Sequence, residues 1–194
     1  GRFMLYGHHD KELVSPNVCG LRIEAAMAFG TGHHATTVGC LSALEHLIKR
    51  GYLFRNIADI GCGTGVLAMA AARAYKAKII AADIDEVAIE TAKSNFKENG
   101  LNAKIALVKS CGFNNAEIIK RASYDLIFAN ILAKPLCLLA PSITKYTQQN
   151  ALIILSGILN RQANGVERYY NANGFARVLI QRIDQWTTMI MQRK

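Results

Sequence analysis

The sequence has no apolar run approaching the ~20 residues that span a bilayer; runs such as Ala151 to Leu155 are strand-sized. There is also no basic leader followed by an apolar segment, so neither export nor membrane association is expected. Prolines number only three, beside fifteen glycines in 194 residues, which excludes collagen-like and linker-like chains. Charged residues make up 19% against 51% hydrophobic, which excludes disorder and leaves one core-forming domain as the natural count. The five cysteines (Cys19, Cys40, Cys62, Cys111, Cys137) include no C-x-x-C pair. Their odd total argues against a disulfide framework or zinc site and for a reducing cytosol, so a cytoplasmic location is expected. Adjacent histidines rarely aim at one metal, so His8-His9 and His33-His34 are not read as ligands and no metal is expected. Acid is the scarcer charge. With 14 Asp and Glu against 23 Lys and Arg, the net charge is +9. That balance suits work on or near nucleic acid, ribosomal assemblies included, and equally suits a protein with one basic face.

From Thr36 onward, strand-sized apolar runs alternate with helical periodicity. Val38, Leu41, Leu44, Leu47 and Ile48 share a helical face, with Thr36 as N-cap and Gly51 as stop. Strands are expected at 56–60, 78–83, 103–108, 124–130 and 151–156, and helices at 66–75, 86–99, 116–121 and 162–173. A further helix near Pro135 is expected to kink or split at Pro141. Two last strands, 175–183 and 187–192, are joined by Asp184-Gln185-Trp186, too short a link for a parallel crossover, so they pair antiparallel. The fold class is therefore α/β: a doubly wound, Rossmann-like sheet of seven mostly parallel strands with an antiparallel C-terminal hairpin. Residues 1–35 do not fit the alternation. They are expected to be an irregular leader with a strand-like segment near Leu21 to Ala25, set against a domain of residues 36–194.

In open α/β sheets, ligands sit beyond the carboxyl ends of the strands at the switch point. Asp59-Ile60-Gly61-Cys62-Gly63-Thr64-Gly65 occupies that place, between a strand and a helix. The third glycine comes one residue earlier than in the dinucleotide fingerprint, which puts Val66 at the fingerprint position. Asp83 ends the next strand about twenty residues on, where a carboxylate can accept both ribose hydroxyls of an adenosine group. Cys62 has no cation near it in sequence to activate its thiol, so it reads as a small filler. Trp186, at the last turn, is core or rim.

A G-x-G-x-G loop, an acidic end to the second strand and a terminal hairpin together resemble the class I methyltransferases that use S-adenosylmethionine. The resemblance narrows further. Ala28-Phe29-Gly30-Thr31-Gly32-His33-His34-Ala35-Thr36-Thr37 is similar to the A-F-G-T-G-x-H-x-T-T segment of the bacterial PrmA family. Asp83-Ile84-Asp85, Ala129-Asn130-Ile131-Leu132-Ala133 and Leu155-Ser156-Gly157-Ile158-Leu159 match further blocks in the same order. Members of that family methylate the eleventh-numbered protein of the large ribosomal subunit, at lysine side chains and the N-terminal amine. They carry an additional N-terminal substrate-recognition domain. On that likeness, residues 1–35 are the remnant joining such a domain to the catalytic unit, in keeping with a first residue, Gly1, that is not Met. Pro often replaces Ala35 in the family, and Gln148-Gln149-Asn150 stands in place of its usual Pro-Gly-Gly.

The resemblance implies S-adenosylmethionine as cofactor and a ribosomal protein as partner, with ribosome assembly intermediates as a wider setting. It assigns cofactor contacts to Thr37, Gly61, Asp83 and Asn130, with Gly63 in the same loop, and places Asn130 at the rim as the catalytic residue. Phe29 is a further cofactor contact, either stacking on adenine or anchoring its loop. His33 and His34 are the nearest candidates for a general base, or else loop histidines bonded to the backbone. The alternative function is a nucleic-acid methyltransferase on the same fold. Against it, the block at Asn130 lacks the proline pair and stacking aromatic typical of enzymes that attack exocyclic base amines, which disfavours flipped-base chemistry.

Overall fold

The computed structural model describes residues 1–7, 15, 17–23 and 35–194. In chain order the elements are β1 (Phe3–Tyr6), β2 (Cys19–Arg22), α1 (Ala35–Lys49), β3 (Asn56–Ile60), α2 (Val66–Ala74), β4 (Lys78–Asp83), α3 (Glu86–Glu98) and β5 (Ile105–Lys109). There follow α4 (Ala116–Arg121), β6 (Tyr124–Asn130), α5 (Ala133–Tyr146), β7 (Thr147–Leu159), a 3₁₀ turn (Asn160–Gln162), α6 (Ala163–Ala172), β8 (Phe175–Ile183) and β9 (Trp186–Arg193). The main sheet has seven strands in the order β5-β4-β3-β6-β7-β9-β8. The first five are parallel, and β9 inserts antiparallel between β7 and β8.

Strands buried on both faces read as continuous apolar runs, and their alternating residues feed two separate cores. Ile57, Ile79, Ala81, Leu126, Phe128 and Ile154 point to a core covered by α1, α2 and α3. Their neighbours Ala58, Ile80, Ala82, Ile127, Ala129 and Ile153 point to the other, covered by α4, α5 and α6. A strand slipped by one residue would exchange the two sets, so the register is firmly specified.

Several expectations are adjusted by packing. Helix α1 begins at Ala35, which makes Thr36 a residue of its first turn rather than the cap. Its buried face carries Thr37, Cys40, Leu41, Leu44 and Leu47, while Val38 is exposed. Helix α5 runs unbroken through Pro141. Pro141 lies on the exposed side, where water can take the carbonyl that its missing N–H would have served. Strand β7 is longer than its apolar run, because Thr147 pairs with Tyr124 and Gln148 to Asn150 bulge out, with Asn150 at φ +63°, before pairing with β6 resumes at Leu152. The final turn is shorter than expected: Trp186 already belongs to β9. The described residues of the leader are also more regular than expected. β1 and β2 pair in parallel, and Leu21 and Ile23 are buried in the α1–α3 core.

One packing detail sets the shape of the carboxyl edge. Ser156 and Gly157 of β7 face the single residue Thr188 of β9, a bulge. Gly157 has φ +77°, and a Cβ placed there would lie 2.3 Å from the backbone oxygen of Ile131. Gly61, with φ +75°, is met from the other side by the Ile131 side chain, 2.3 Å from where its Cβ would be. Ile131 is thus wedged between the ends of β3 and β7. Gly157→Ala is expected to destabilise the fold by at least about 3 kcal/mol, combining left-handed strain with a backbone collision. Gly174→Ala serves as control: its φ is +84° but nothing lies within 4 Å. It should cost only the strain, about 1–2 kcal/mol. Urea denaturation of both variants checks this, and equal losses would contradict the collision.

Candidate functional site

Strands β4 and β5 lie to one side of β3, and β6 and β7 to the other, so the topological switch falls between β3 and β6. Around it converge the glycine loop after β3, Asp83 ending β4, Asn130 ending β6, and the first turn of α1.

The loop is held by its neighbours. Gly61 and Cys62 N–H groups both donate to the Ala82 carbonyl, at 2.8 and 2.9 Å. The Asp83 carboxylate accepts from Gly63 N at 2.8 Å through one oxygen and from Asp85 N at 3.0 Å through the other. It is therefore oriented by backbone from two sides, and its remaining lone pairs are left for a ligand. Helix α3 is capped by Asp85, whose side chain accepts from Val87 N at 2.9 Å, so Asp83 is released from capping.

Two buried polar atoms here lack hydrogen-bond partners. Thr37 is 1% exposed, and its Oγ1 is unpartnered. Asp59 is fully buried; Oδ2 accepts from Ala68 N at 3.0 Å, while Oδ1 has no partner. Unpaired buried polar atoms cost free energy, and such atoms are found where a ligand completes them. An orphaned hydroxyl suits a ligand's carboxylate, and an orphaned carboxylate oxygen suits an ammonium. An amino-acid ligand with a ribose attached, as S-adenosylmethionine is, fits this donor set together with Asp83.

Burial raises the Asp59 carboxyl to about 7; the Ala68 N–H opposes this and the Asp83 charge adds to it. Burial likewise pushes the Cys62 thiol well up, with both carboxylates adding to the rise, so this cysteine is no nucleophile. Cys40, one turn on from Thr37, is raised by burial, with a lowering bond to Ser156 and a further rise from the Asp59 charge.

The first turn of α1 is tied to the bulge. Ser156 Oγ donates to the Thr36 carbonyl at 3.3 Å and lies 2.8 Å from Thr188 Oγ1. Gln181 Nε2 donates to the Gly39 carbonyl. Asn130 ends β6 opposite Ser156, half-buried, and its side chain bonds no described residue.

Thr37, Gly61, Gly63, Asp83 and Asn130 are all brought to this one edge. Phe29, His33 and His34 lie outside the described residues. Asp59, Ile131 and Ser156 also shape this edge, although the motifs that contain them assign them no role. An acid at the buried end of an apolar strand was the available signal for Asp59. The bond from Ser156 to Thr36 spans 120 residues, and no local pattern reports it.

Folding raises the Asp59 carboxyl from 3.8, so the folded state holds its proton more tightly than the unfolded chain. Stability tied to this proton is present at acid pH and is lost as pH rises from 3.8 to about 7. Asp59→Asn removes the titration while keeping an acceptor for Ala68 N. Its stability advantage over the unaltered protein, without ligand, should be larger at pH 8 than at pH 4.5 by about 2–4 kcal/mol. Urea midpoints at the two pH values measure it, and a pH-independent difference would refute it.

The model of the ribosomal protein L11 methyltransferase (PrmA) family matches residues 1–194. A relative named ribosomal protein L11 methyltransferase from Caulobacter sp. (strain K31) is 43% identical over 193 residues, covering 100% of this chain and 66% of that protein. Its namesake from Bradyrhizobium diazoefficiens is 39% identical over 193 residues, covering 100% of the chain and 65% of that protein. The chain thus spans about two thirds of the length of these curated relatives. The crystal structure of a ribosomal protein L11 methylase from Lactobacillus delbrueckii subsp. bulgaricus superposes with a TM-score of 0.89 at 28% identity, covering 100% of this chain and 95% of that one. An RNA methyltransferase from Salinibacter ruber, solved with S-adenosyl-L-homocysteine, shares the fold at a TM-score of 0.60 and 15% identity. The fold is that of the class I methyltransferases, and the chain belongs to the ribosomal protein L11 methyltransferase (PrmA) family.

Proposed function

We propose that this chain binds S-adenosylmethionine at the carboxyl edge of its sheet and transfers methyl groups to amines of ribosomal protein L11, at lysine side chains and the N-terminus. Membership of the family supports the substrate. The observation that carries the cofactor reading is the pair of orphaned buried atoms, Thr37 Oγ1 and Asp59 Oδ1, beside an Asp83 carboxylate already aimed by two backbone N–H groups.

In this reading Asp83 accepts from the ribose hydroxyls. Thr37 donates to the ligand carboxylate at the amino end of α1, where free N–H groups add to the attraction. Asp59 meets the ligand ammonium, and Gly61 and Gly63 let the loop follow the ligand closely. When bound, the sulfonium supplies an electrophilic methyl group.

The protein's task is then to present a neutral amine in line with that methyl. A free lysine has a pKa near 10.4, so neutralising it at pH 7 costs roughly 4–5 kcal/mol. An approach to the methyl that excludes water disfavours the ammonium form and lowers that cost. The Asn130 carbonyl accepts from an amine N–H and so orients the lone pair without adding a charge that would hold the proton. Those amines are taken from a protein rather than a base, because Ile131 and Leu132 offer no stacking face after Asn130. We extend the proposal to domain organisation: residues 36–194 carry the chemistry, residues 1–35 lead into it, and recognition of L11 rests on a separate N-terminal unit in a longer protein. The cytoplasm, where ribosomal proteins are made, is the proposed setting.

Isothermal titration tests the cofactor reading. S-Adenosylhomocysteine should bind and NAD should not. Asp83→Ala removes a charged acceptor from two hydroxyls, each bond worth about 1.5–3 kcal/mol, so affinity should fall at least tenfold while the melting transition is retained. Unchanged affinity would sink the role of Asp83. Asn130→Ala should instead slow single-turnover methylation of L11 by at least tenfold with little change in cofactor affinity. The reverse pattern would make Asn130 a cofactor ligand only.

A further inference from the structure

The amino edge of the sheet, remote from Asp83 and Asn130, carries a different charge pattern. Four neighbouring strands, β5, β4, β3 and β6, are each entered through a cation. Lys104 stands immediately before β5, Lys78 opens β4, Arg55 stands immediately before β3, and Arg121 closes the helix leading into β6. Neighbouring strands lie about 4.8 Å apart; Lys104 and Lys78, which precede the paired Ile105 and Ile79, stand side by side and begin a row of cations, while Arg55, one register position off, lies outside the groove. Arg73 and Lys76, at the end of α2, widen the row. Together Arg73, Lys76, Lys78, Lys104 and Arg121 line a groove of about 810 Å³ that has no Asp or Glu in its lining.

These cations are available. Lys76, Lys78 and Lys104 are exposed and form no ion pair among the described residues. Arg121 pairs with Glu117 through Nε at 2.8 Å, and Arg73 gives Nη2 to the Asn99 carbonyl at 2.8 Å, so each keeps free donors. The nearest acids are occupied. Asp125 accepts the backbone N–H groups of Arg55 and Asn56 at 2.6 and 3.0 Å, and Glu117 is held by Arg121. Asp59, Asp83, Asp85 and Glu86 all stand toward the opposite end of the strands.

We propose that this groove docks the phosphodiester backbone of RNA. A protein partner would need aromatic or aliphatic anchors at the centre of the contact. Here Ile79 and Ile105 are buried in the floor. The one aromatic in the lining, Tyr75, has a buried hydroxyl and packs edge-on against Phe54 at 5.2 Å. With no ring in its lining free for base stacking, the groove reads charge along a strand and not sequence. The site is separate from the methyl-transfer edge, and nothing in this inference depends on that activity.

Fluorescence anisotropy of the chain with a labelled single-stranded RNA of about 20 nucleotides tests it. Lys76→Gln/Lys78→Gln/Lys104→Gln should weaken binding at least tenfold at 100 mM salt. It should also flatten the slope of log affinity against log salt by about 2, at roughly 0.7 per lost phosphate contact. The control Arg161→Gln/Arg168→Gln/Lys194→Gln removes the same charge elsewhere and should weaken binding less than threefold. RNAs of different sequence should bind alike, and inorganic phosphate at 5 mM should not displace them. Three results would each overturn the proposal: no RNA binding, equal weakening by the two triple variants, or displacement by polyglutamate as effective as by unlabelled RNA. Circular dichroism melts confirm that the variants are folded, since all six positions are on the surface.

Discussion

The close approach of Ile131 to two glycines is the contact on which the carboxyl edge depends. Its backbone occupies the space a Cβ of Gly157 would need, and its side chain occupies the space a Cβ of Gly61 would need. Three strand ends, β3, β6 and β7, are thereby locked at one spacing. Asn130, the residue before Ile131, inherits a fixed position from a contact it does not make. The bulge at Ser156 and Gly157 then turns Ser156 toward the Thr36 carbonyl, and this fixes the first turn of α1 and Thr37 with it.

Around this lock the site carries polar groups that are costly without a ligand. Asp59 is a carboxylate held between an apolar strand and a helix, with one oxygen bonded and one bare. Thr37 brings a hydroxyl with no partner. Asp83 differs, because the backbone itself satisfies and aims it. In the proposed reading the combination is a preorganised cradle, its ordering done by folding, in which a ligand completes hydrogen bonds already aimed. Among the described residues, the strands that end near Asp59 and Asp83 begin near Lys78, Lys104 and Arg55.

Much of this was legible in the sequence. The strands at 56–60, 78–83 and 124–130 and the helix at 116–121 lie where the apolar runs and caps place them, and the glycine loop falls at the switch point. Thr37, Gly61, Gly63, Asp83 and Asn130 gather at one edge as the motifs imply. Less legible was anything set by contact between distant segments. Val38 fits the helical face by spacing yet is exposed, because α1 turns Thr37, Cys40 and Gly39 toward β7 and β9 instead. Gln148 to Asn150, which stand where the family has Pro-Gly-Gly, form an exposed bulge between Thr147 and Leu152, both of which pair with β6.

The sequence alone determined the order of elements, because hydrophobic period, caps and breakers act over a few residues and need no tertiary partner. It also marked the residues proposed to bear the chemistry, since glycine, carboxylate and amide are suited to it for reasons intrinsic to them. Only the tertiary structure decided the strand order that inserts β9 between β7 and β8, the burial that leaves Asp59 half-satisfied, and the alignment of Lys104, Lys78, Arg55 and Arg121 along one edge. Each of these depends on segments tens of residues apart meeting in space. Local preference carries no information about such meetings until a common core is packed.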